Sequence, residues 1–483
     1  MNGNQQDSSK AGAGRQALVI GASISGILAA RALCDHFDEV ILVERDQLPQ
    51  SPASRPGVPQ DRQVHVLLMR GAQIMARLFP DLEGELRAAG VPQLDLVQDT
   101  RAKIRGHWMP RYPSAYKSFA CSRILLEDKL RRQLLRQPKV RLLSGATVTG
   151  LMTDPAGVRV SGVTLKWRQP EGGGETRPGS LAADLVVDAS GRSSRAPDWL
   201  AAIGYERPAE TVVDAHAGYA GRRYRLPMPR PGDWRVLAIG AEPPDKTRQA
   251  LIYEEENDVW MVMVAGLKHD YPPTDEAGFN AFLGTVDPVL PALVAQASPI
   301  SGVIGYRRTE NRMRHYEQLS RWPDRLVILG DAVCGFNPVY GQGMSVAALE
   351  AESLGHMVAG AGQSLDGLAW RFQRALPRLV EPAWLLATGA DYPWQDEADD
   401  RPGSVATRFS HWYLDRLLNV VALSRPVQNA FVEVQHLLRP ASSLFRPGLF
   451  VRVLWYGRRA RRRAPAVGEP LTPDFPLPDR SVS

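Results

Sequence analysis

The chain is arranged around one segment, Arg325-Leu-Val-Ile-Leu-Gly-Asp-Ala-Val-Cys-Gly-Phe-Asn-Pro-Val-Tyr-Gly-Gln-Gly-Met-Ser345. Its pattern predicts a buried strand, a corner at Gly330-Asp331, a proline-bearing loop and a helix that opens at a glycine pair. A strand that ends at an acid, followed by a helix N-terminus, can hold a polyol on the carboxylate and an anion on the backbone N–H groups. The same residues also allow a plain helix cap at Asp331 and an ordinary glycine turn.

A second motif of the same kind lies near the start of the chain. The apolar stretch that begins at Ala17 leads into Gly21-x-Ser23-x-x-Gly26 and then into a helix of small and apolar residues. This is a dinucleotide fingerprint in which serine replaces the middle glycine, where the backbone must approach a pyrophosphate. The next predicted strand ends at Glu44, the position of a carboxylate that accepts hydrogen bonds from a ribose. Strand, turn, helix, strand and acid together predict a dinucleotide site.

Three segments between these motifs carry further candidate binding residues. The first, Asp188-Ala-Ser-Gly-Arg192, closes an apolar strand on small residues that let a cofactor approach, or it forms a simple loop. Arg123 stands in the first turn of a predicted helix, where a cation is disfavoured, so a bound anion or an internal salt bridge must compensate it. His65 follows a long proline-rich loop and is either a site residue or an ordinary capping or core histidine.

The composition argues against a nucleic-acid-binding, a disulfide-stabilised or a membrane-spanning protein. The 58 basic and 52 acidic residues leave a net charge of +6, too small for 483 residues to indicate nucleic-acid binding. Three widely spaced cysteines provide neither a disulfide framework nor a metal site, so we expect no metal and a reducing, cytoplasmic location. The polar segment 1–14 is predicted to be a disordered lead-in without a signal sequence, and no apolar run is long enough to predict a transmembrane helix.

In their order along the chain and in their residues, these motifs resemble those of the class A flavoprotein monooxygenases, the family of para-hydroxybenzoate hydroxylase and squalene epoxidase. Within that family the chain is most similar to bacterial FAD-dependent epoxidases of polyether biosynthesis, such as those of the monensin and lasalocid pathways. The sequence motifs on which this similarity rests are Gly21-Ala-Ser-Ile-Ser-Gly, Val43-Glu-Arg-Asp-Gln-Leu-Pro, Arg55-x-Gly-Val-Pro-Gln-x-Arg-x-x-His65, Ser122-Arg123, Asp188-Ala-Ser-Gly-Arg, and Phe336-Asn-Pro-Val-Tyr-Gly-Gln-Gly-Met-Ser.

The resemblance implies a role for each matching residue. The ADP half of FAD would be held by Gly21, Ser23, Gly26, Glu44 and Arg45. Arg123 would reach the phosphate or ribityl region, Asp331 the ribityl and pyrophosphate side, and the segment with Gly341, Gly343 and Met344 the edge of the flavin ring. His65, Pro338 and the loop 55–60 would lie near the isoalloxazine. Gln63 stands where the related epoxidases tend to have a second histidine, which leaves the contacts of that loop open.

The resemblance also implies the fold and its division. We expect an α/β protein with a discontinuous Rossmann-like FAD-binding domain, an antiparallel-sheet substrate domain and a helical C-terminal region. The FAD-binding parts are 15–90, 120–210 and 311–362, the substrate-domain parts are 91–119 and 211–310, and the C-terminal helices occupy 363–456. We further expect the strands that end at Gly21 and Gly330 to lie side by side, so that one FAD spans both.

The reaction implied is transfer of one oxygen atom from a flavin C4a-hydroperoxide to an electron-rich C=C of a hydrophobic secondary-metabolite intermediate. The co-substrates would be O2 and NAD(P)H, or a separate flavin reductase as the electron source. Epoxidation is favoured because no base for phenol activation is evident in the sequence. Aromatic hydroxylation, oxygen-independent alkene reduction and flavin binding without turnover remain alternatives. A halogenase would carry a Trp-x-Trp-x-Ile-Pro motif, which this chain does not contain.

The C-terminal segment 457–483 is predicted to be a basic, disordered tail. Five arginines follow Trp455 and Tyr456 within a few residues. A solvated basic end is the simpler interpretation, and weak peripheral contact with anionic lipid is the alternative. Nothing in the sequence predicts an oligomeric state.

Overall fold

The structure is a computed structural model that describes residues 14–168, 176–226, 229–395 and 405–460. Its strands are β1 Gln16–Ile20, β2 Glu39–Glu44, β3 Gln93–Asp95, β4 Thr100–Ile104, β5 His107–Trp108, β6 Lys117–Phe119, β7 Val140–Ser144, β8 Ala146–Thr153, β9 Val160–Arg168, β10 Thr176–Ala182, β11 Leu185–Asp188, β12 Glu210–Val213, β13 Gly218–Arg225, β14 Val236–Ile239, β15 Arg248–Glu255, β16 Val259–Gly266, β17 Ser298–Pro299, β18 Ile304–Tyr306, β19 Asn311–Arg314, β20 Leu326–Ile328 and β21 Cys334–Gly335.

The helices separate and cover these strands. They are α1 Ile24–Leu33, α2 Met69–Leu78, α3 Leu82–Ala88, α4 Arg123–Leu135, α5 Ala196–Ala202, α6 Glu276–Val286, α7 Leu290–Val294, α8 Gly343–Ala361, α9 Leu368–Asp391, α10 Val405–Val421, α11 Arg425–Gln435 and α12 Pro447–Ala460.

A five-stranded parallel sheet forms the centre of the first domain, in the order β20-β11-β1-β2-β7. In register, Ile20 pairs with Asp188, and Asp188 pairs with Ile328. The carboxyl ends of the three strands therefore meet at one edge of the sheet, where α/β folds bind ligands. Helix α8 packs against α1, with Gly355 close to Ala32.

One expectation about this sheet is wrong. The strands that end near Gly21 and Gly330 are not neighbours, because β11 lies between them and pairs with both. The apolar run of β11 is short and is buried along its whole length, as expected for a central strand of a parallel sheet. The segment Asp188-Ala-Ser-Gly-Arg192 thus occupies the middle of the ligand-binding edge.

The second large sheet is mostly antiparallel and has the order β17-β13-β16-β15-β14-β4-β5, with β18 also paired to β13. One of its faces packs on α6 and α7 through a core that includes the stacked pair Trp234 and Trp260. Its other face contributes Tyr219, Met261 and Met263 to an apolar cluster that the loop after β2 joins through Val64. The sheet is thus covered on both sides. Smaller sheets are β10-β9-β8, β12-β19-β21 and β3-β6.

The C-terminal helices α10, α11 and α12 have a core of their own, which includes Tyr413, Leu417 and Val453. Helix α12 continues to Ala460, four residues into the segment that was predicted to be a disordered tail. The rest of that tail, 461–483, lies outside the described residues, as does 1–13 of the predicted lead-in. Within the part of the chain that the structure describes, no helix is both long enough and apolar enough to span a bilayer.

The turn between β1 and α1 leaves no room for a side chain at Gly26, because a Cβ there would lie 1.7 Å from the carbonyl oxygen of Gly21. We predict that Gly26→Ala destabilises the protein by about 3 kcal/mol or more, since backbone on both sides must move. Thermal and urea unfolding measure the effect. Gly84→Ala is the matched control, because a Cβ on this helical glycine meets nothing within 4 Å. That control should be stabilised by roughly 0.5–1 kcal/mol, and equal stability of the two variants would contradict the steric argument.

Candidate functional site

A cavity of about 310 Å³ lies at the carboxyl edge of the parallel sheet and extends toward the antiparallel sheet. It is lined by residues from the turn after β1, the end of β2, the loop that follows it, α4, the loop after β11, and the segment from Asp331 to Met344. Among the residues predicted from the sequence, those on this wall are Gly21, Ser23, Glu44, Arg45, His65, Arg123, Asp331, Pro338, Gly341, Gly343 and Met344. Gly26 is not on the wall and acts through packing beneath Gly21.

Two helix N-termini converge on this cavity. Helix α1 begins after Ser23 and helix α8 begins after Gln342, and neither has a side-chain cap for its first N–H groups. Residues of both first turns line the cavity. Uncapped N–H groups and the positive end of the helix dipole favour an anion. The first turn of α1 also meets the corner after β20, since a Cβ on Gly330 would lie 2.6 Å from the hydroxyl oxygen of Ser25.

Arg123 lies beside the first of these termini and is held by its neighbours. Its guanidinium donates to the Ser23 hydroxyl at 2.6 Å, and Ser23 in turn donates to Glu127 at 2.8 Å. Arg123 also forms an ion pair with Glu127 at 3.5 Å, so the internal salt bridge exists. The Nε atom of Arg123 is nevertheless buried without a hydrogen-bond partner among the described residues. The arginine thus keeps one donor for a further acceptor, and the serine that replaces glycine in the fingerprint orients it.

Glu44 occupies the end of β2 as predicted and is 5% exposed. Its carboxylate accepts hydrogen bonds from the N–H groups of Ala22, at 2.8 Å, and Asp46, at 3.0 Å. Arg55 pairs with it at 3.1 Å and also with Asp46 and Glu127. Burial alone would lower the pKa of Arg55, but the carboxylates of Glu127 and Glu44 outweigh it and raise that pKa.

Arg55 lies at the Glu44 end of the cavity, where it pairs with that carboxylate. The placement of the loop 55–60 near the isoalloxazine, and of Glu44 at the adenosine half of the cofactor, stay predictions. Nothing in the sequence predicts that Glu44, Asp46 and Glu127 all pair with Arg55, because these side chains meet only in the folded chain. The loop therefore runs along the cavity from the Glu44 end toward His65.

Asp331 follows β20 and faces the N-terminus of α8 near Gly343. Its side chain is 32% exposed, and its carboxylate lies 3.7 Å from the Arg192 Nε atom. Arg192 also donates to the carbonyl groups of Glu310 and Phe336. The loop after β11 is thereby tied to the segment that carries Asp331 and Pro338, and both loops border the same cavity.

His65 faces the cavity from the opposite loop. Its Nδ1 atom lies 2.9 Å from the carbonyl oxygen of Gln63, so Nδ1 carries the proton and Nε2 is an acceptor. Burial lowers the pKa of His65 to about 3, and the positive charges of Arg123 and Arg223 add to the effect. Gln63 does not line the cavity. Its amide donates to the carbonyl oxygen of Ile304 at 2.9 Å, which fastens the loop to the antiparallel sheet.

A buried polar cluster supports the loop that carries Pro338, and the sequence did not reveal it. Asp391, at the end of α9, accepts hydrogen bonds from Asn337, Asn311 at 2.6 Å and Tyr340 at 2.5 Å. Tyr219 of the antiparallel sheet donates to Asn337. Burial raises the pKa of Asp391 to about 6. The cluster joins both domains and α9 behind the loop. Only the Asn-Pro pair was visible in the sequence, and nothing there pointed to Asp391.

The chain belongs to the family described as FAD binding domain, whose model matches residues 15–363. It is 37% identical over 385 residues to protein Rv3254 of Mycobacterium tuberculosis, covering 77% of this chain and 78% of that protein. It is also 24% identical to ubiquinone hydroxylase UbiL of Rhodospirillum rubrum, with 68% of each chain covered. The structure of the flavin-dependent brominase Bmp2 shares the fold, with a TM-score of 0.62 and 14% identity over 92% of this chain and 98% of that one.

These comparisons confirm the predicted FAD-binding α/β fold, and the cavity fits the cofactor. Two uncapped helix N-termini, the unpartnered Nε of Arg123 and the side-chain-free wall at Gly21 suit a pyrophosphate. A Cβ on Gly21 would lie 2.7 Å from the carbonyl oxygen of Ala189, and its φ of +98° is one that favours glycine. Within the described residues, no group of three or more His, Cys, Asp or Glu could hold a metal ion.

We predict that Asp331→Ala lowers the affinity for FAD at least about tenfold, equivalent to ~1.4 kcal/mol. The reason is that the variant loses the acceptor that Arg192 and the start of α8 place at the cavity wall. The ratio of flavin to protein absorbance after gel filtration measures it. Glu310→Gln is the matched control, because Glu310 also pairs with Arg192, at 3.3 Å, but is not on the cavity wall. Full flavin content in Asp331→Ala would show that Asp331 does not help to bind the cofactor.

For His65 we predict a ring that stays neutral, with the proton on Nδ1, from pH 8 to about pH 5. Because its folded pKa is lowered to about 3 from about 6.5 in the unfolded chain, its contribution to stability is complete above pH 6.5 and is lost as pH falls. Nitrogen-15 NMR of histidine-labelled protein, assigned with His65→Gln, measures the tautomer. In urea-unfolded protein the same ring should titrate near its ordinary value. Titration near pH 6.5 in the folded protein would contradict the burial argument.

Proposed function

We propose that the protein is a FAD-dependent monooxygenase that transfers one oxygen atom to an electron-rich C=C of a hydrophobic small molecule. The observation that favours epoxidation over phenol hydroxylation is the lack of a usable base among the described residues of the cavity wall. His65 is a very weak base, because its pKa is lowered to about 3. Burial raises the pKa of Tyr306, so its phenol stays protonated. Epoxidation of an isolated alkene requires no protein base, whereas phenol hydroxylation is helped by one.

The two remaining carboxylates of the wall are engaged with arginines. Glu44 pairs with Arg55 at 3.1 Å, and Asp331 lies 3.7 Å from Arg192. Each carboxylate is thus held by an arginine of the cavity wall. These groups therefore suit binding and orientation of a cofactor better than proton removal from a substrate.

An apolar cluster beside the cavity supports a hydrophobic substrate. Val66, next to His65, and Val339, next to Pro338, pack against the cluster to which the sheet contributes Tyr219 and Met261. An apolar wall next to a polar cofactor cleft excludes water and binds an apolar ligand. The uncapped N-terminus of α8 at the same end favours negative charge on a bound reduced cofactor.

The electron and atom balance defines the overall reaction. FAD, when bound, accepts two electrons from NAD(P)H, or from a separate flavin reductase, and activates O2. One oxygen atom enters the substrate, the other leaves as water with two protons, and the nicotinamide is oxidised. The chain's own residues hold FAD, exclude water and orient the alkene. The sequence similarity to polyether-type epoxidases supports a substrate from secondary metabolism.

Aromatic hydroxylation, which has the same overall balance of electrons and atoms, is the second candidate function. It is favoured by the likeness to ubiquinone hydroxylase UbiL, although that likeness is 24% identity. In that case an arginine of the cavity wall, rather than a protein base, would have to favour the phenolate. The apolar cluster serves a quinone-like ring as well as a polyene.

One experiment separates these functions. The purified flavoprotein is reduced without oxygen by NADPH or NADH, and labelled O2 is then admitted with polyenes or phenols. We predict products one labelled oxygen atom heavier from the polyenes and little conversion of the phenols. Conversion of phenols alone would establish hydroxylation, and saturated products formed without oxygen would establish an alkene reductase. His65→Gln should keep most of the activity, because the neutral ring supplies no base.

A further inference from the structure

Four large apolar side chains are exposed on two neighbouring C-terminal helices. They are Phe409 and Trp412 on α10, at 45% and 41% exposure, and Val451 and Trp455 on α12, at 64% and 51%. We call this set the C-terminal apolar patch. Exposed aromatic side chains in such a group mark interaction surfaces, because water contact with them is costly.

Contacts between the helices make the patch one surface. Phe409 stacks on Trp412 with ring centroids 5.6 Å apart and meets Phe450 of α12 at 6.3 Å. Further along, Gly457 approaches Arg416 and Val420, so the two helices run in the same direction. Val451 and Trp455 are four residues apart and share one face of α12, whereas Val453 points into the helical core.

The sequence that forms and follows α12 carries charge of one sign. The segment 437–463 contains eight arginines and no aspartate or glutamate. Two nearby acids of the other helices are already paired: Asp415 with Arg105 at 2.8 Å, and Glu433 with Arg439 at 2.5 Å. Among the described side chains, Arg446 and Arg452 are exposed, and Arg416 lies over the Trp412 ring at 4.4 Å. The surface therefore combines tryptophan, aliphatic groups and positive charge.

We propose that the C-terminal apolar patch docks the protein on an anionic lipid surface. Tryptophan favours the boundary between lipid and water, and arginine is attracted by anionic headgroups. A second copy of this chain fits less well, since two such faces would bring their arginines together. Docking is peripheral, because the two helices insert side chains and do not span the bilayer.

The test uses the full-length flavoprotein and two kinds of vesicle, phosphatidylcholine with phosphatidylglycerol and phosphatidylcholine alone. In flotation assays, we predict binding to the anionic vesicles that is at least about tenfold stronger than to the neutral ones and that weakens between about 0.1 M and about 1 M salt. Equal binding to both vesicles, or no binding to either, overturns the proposal.

Single variants test the patch itself. Val451→Glu and Trp455→Ser should each lower the partition to anionic vesicles at least about tenfold, with flavin content and circular dichroism unchanged. Val158→Glu is the matched control, because Val158 is 54% exposed at a distant turn and the net charge changes equally; it should stay within about twofold of the parent. Undiminished binding of Val451→Glu overturns the proposal. A parent dimer that Val451→Glu dissociates, without vesicle binding, would instead identify an interface between copies.

Discussion

The hydrogen-bonded register of β1, β11 and β20 is the constraint on which the site depends. Ile20, Asp188 and Ile328 are aligned across three parallel strands, so the loops that follow them leave the same edge of the sheet. Each loop then turns at a glycine with positive φ, at Gly21, Gly191 and Gly330. Because parallel strands all end at one edge, segments from distant parts of the chain border one cavity. No single segment could build that wall.

Fixed charge makes this edge suitable for an anionic cofactor. The uncapped starts of α1 and α8 supply partial positive charge, and the buried arginines Arg55 and Arg123 are balanced by carboxylates. Glu350 holds the corner at Gly330. It is fully buried and accepts a hydrogen bond from the Gly330 N–H at 2.6 Å. Burial raises the pKa of Glu350 to about 8. At neutral pH it is thus mostly uncharged, so it fixes the Gly330 corner without adding a full negative charge beneath the cavity.

Burial also determines which acid–base chemistry the residues around the cavity can supply. A histidine in a solvated loop could exchange protons near pH 7, but His65 is enclosed by the loop, the antiparallel sheet and two arginines and remains neutral. Asp391 supports the opposite wall through a cluster that joins the FAD-binding domain, the antiparallel sheet and α9. The loops next to the proposed substrate position are thus held by buried hydrogen bonds, and His65 is a weak base. This arrangement agrees with a reaction in which the cofactor performs the bond making.

The sequence alone determined the FAD-binding fold and nearly all of the predicted wall, from Gly21 and Glu44 to Asp331 and Met344. It could do so because strand ends, tight glycine turns and helix starts are set by local chemistry that short motifs record. Only the tertiary structure decided that β11 separates β1 and β20, that Arg55 joins Glu44, and that Asp391 supports the loop at Pro338. The strands β1, β11 and β20 are far apart in the chain, as are Asn337 and Asp391, and even the nearby pair Arg55 and Glu44 meets only through the fold of its loop. Neither charge nor spacing along a single sequence specifies which partners meet when the sheets and helices pack.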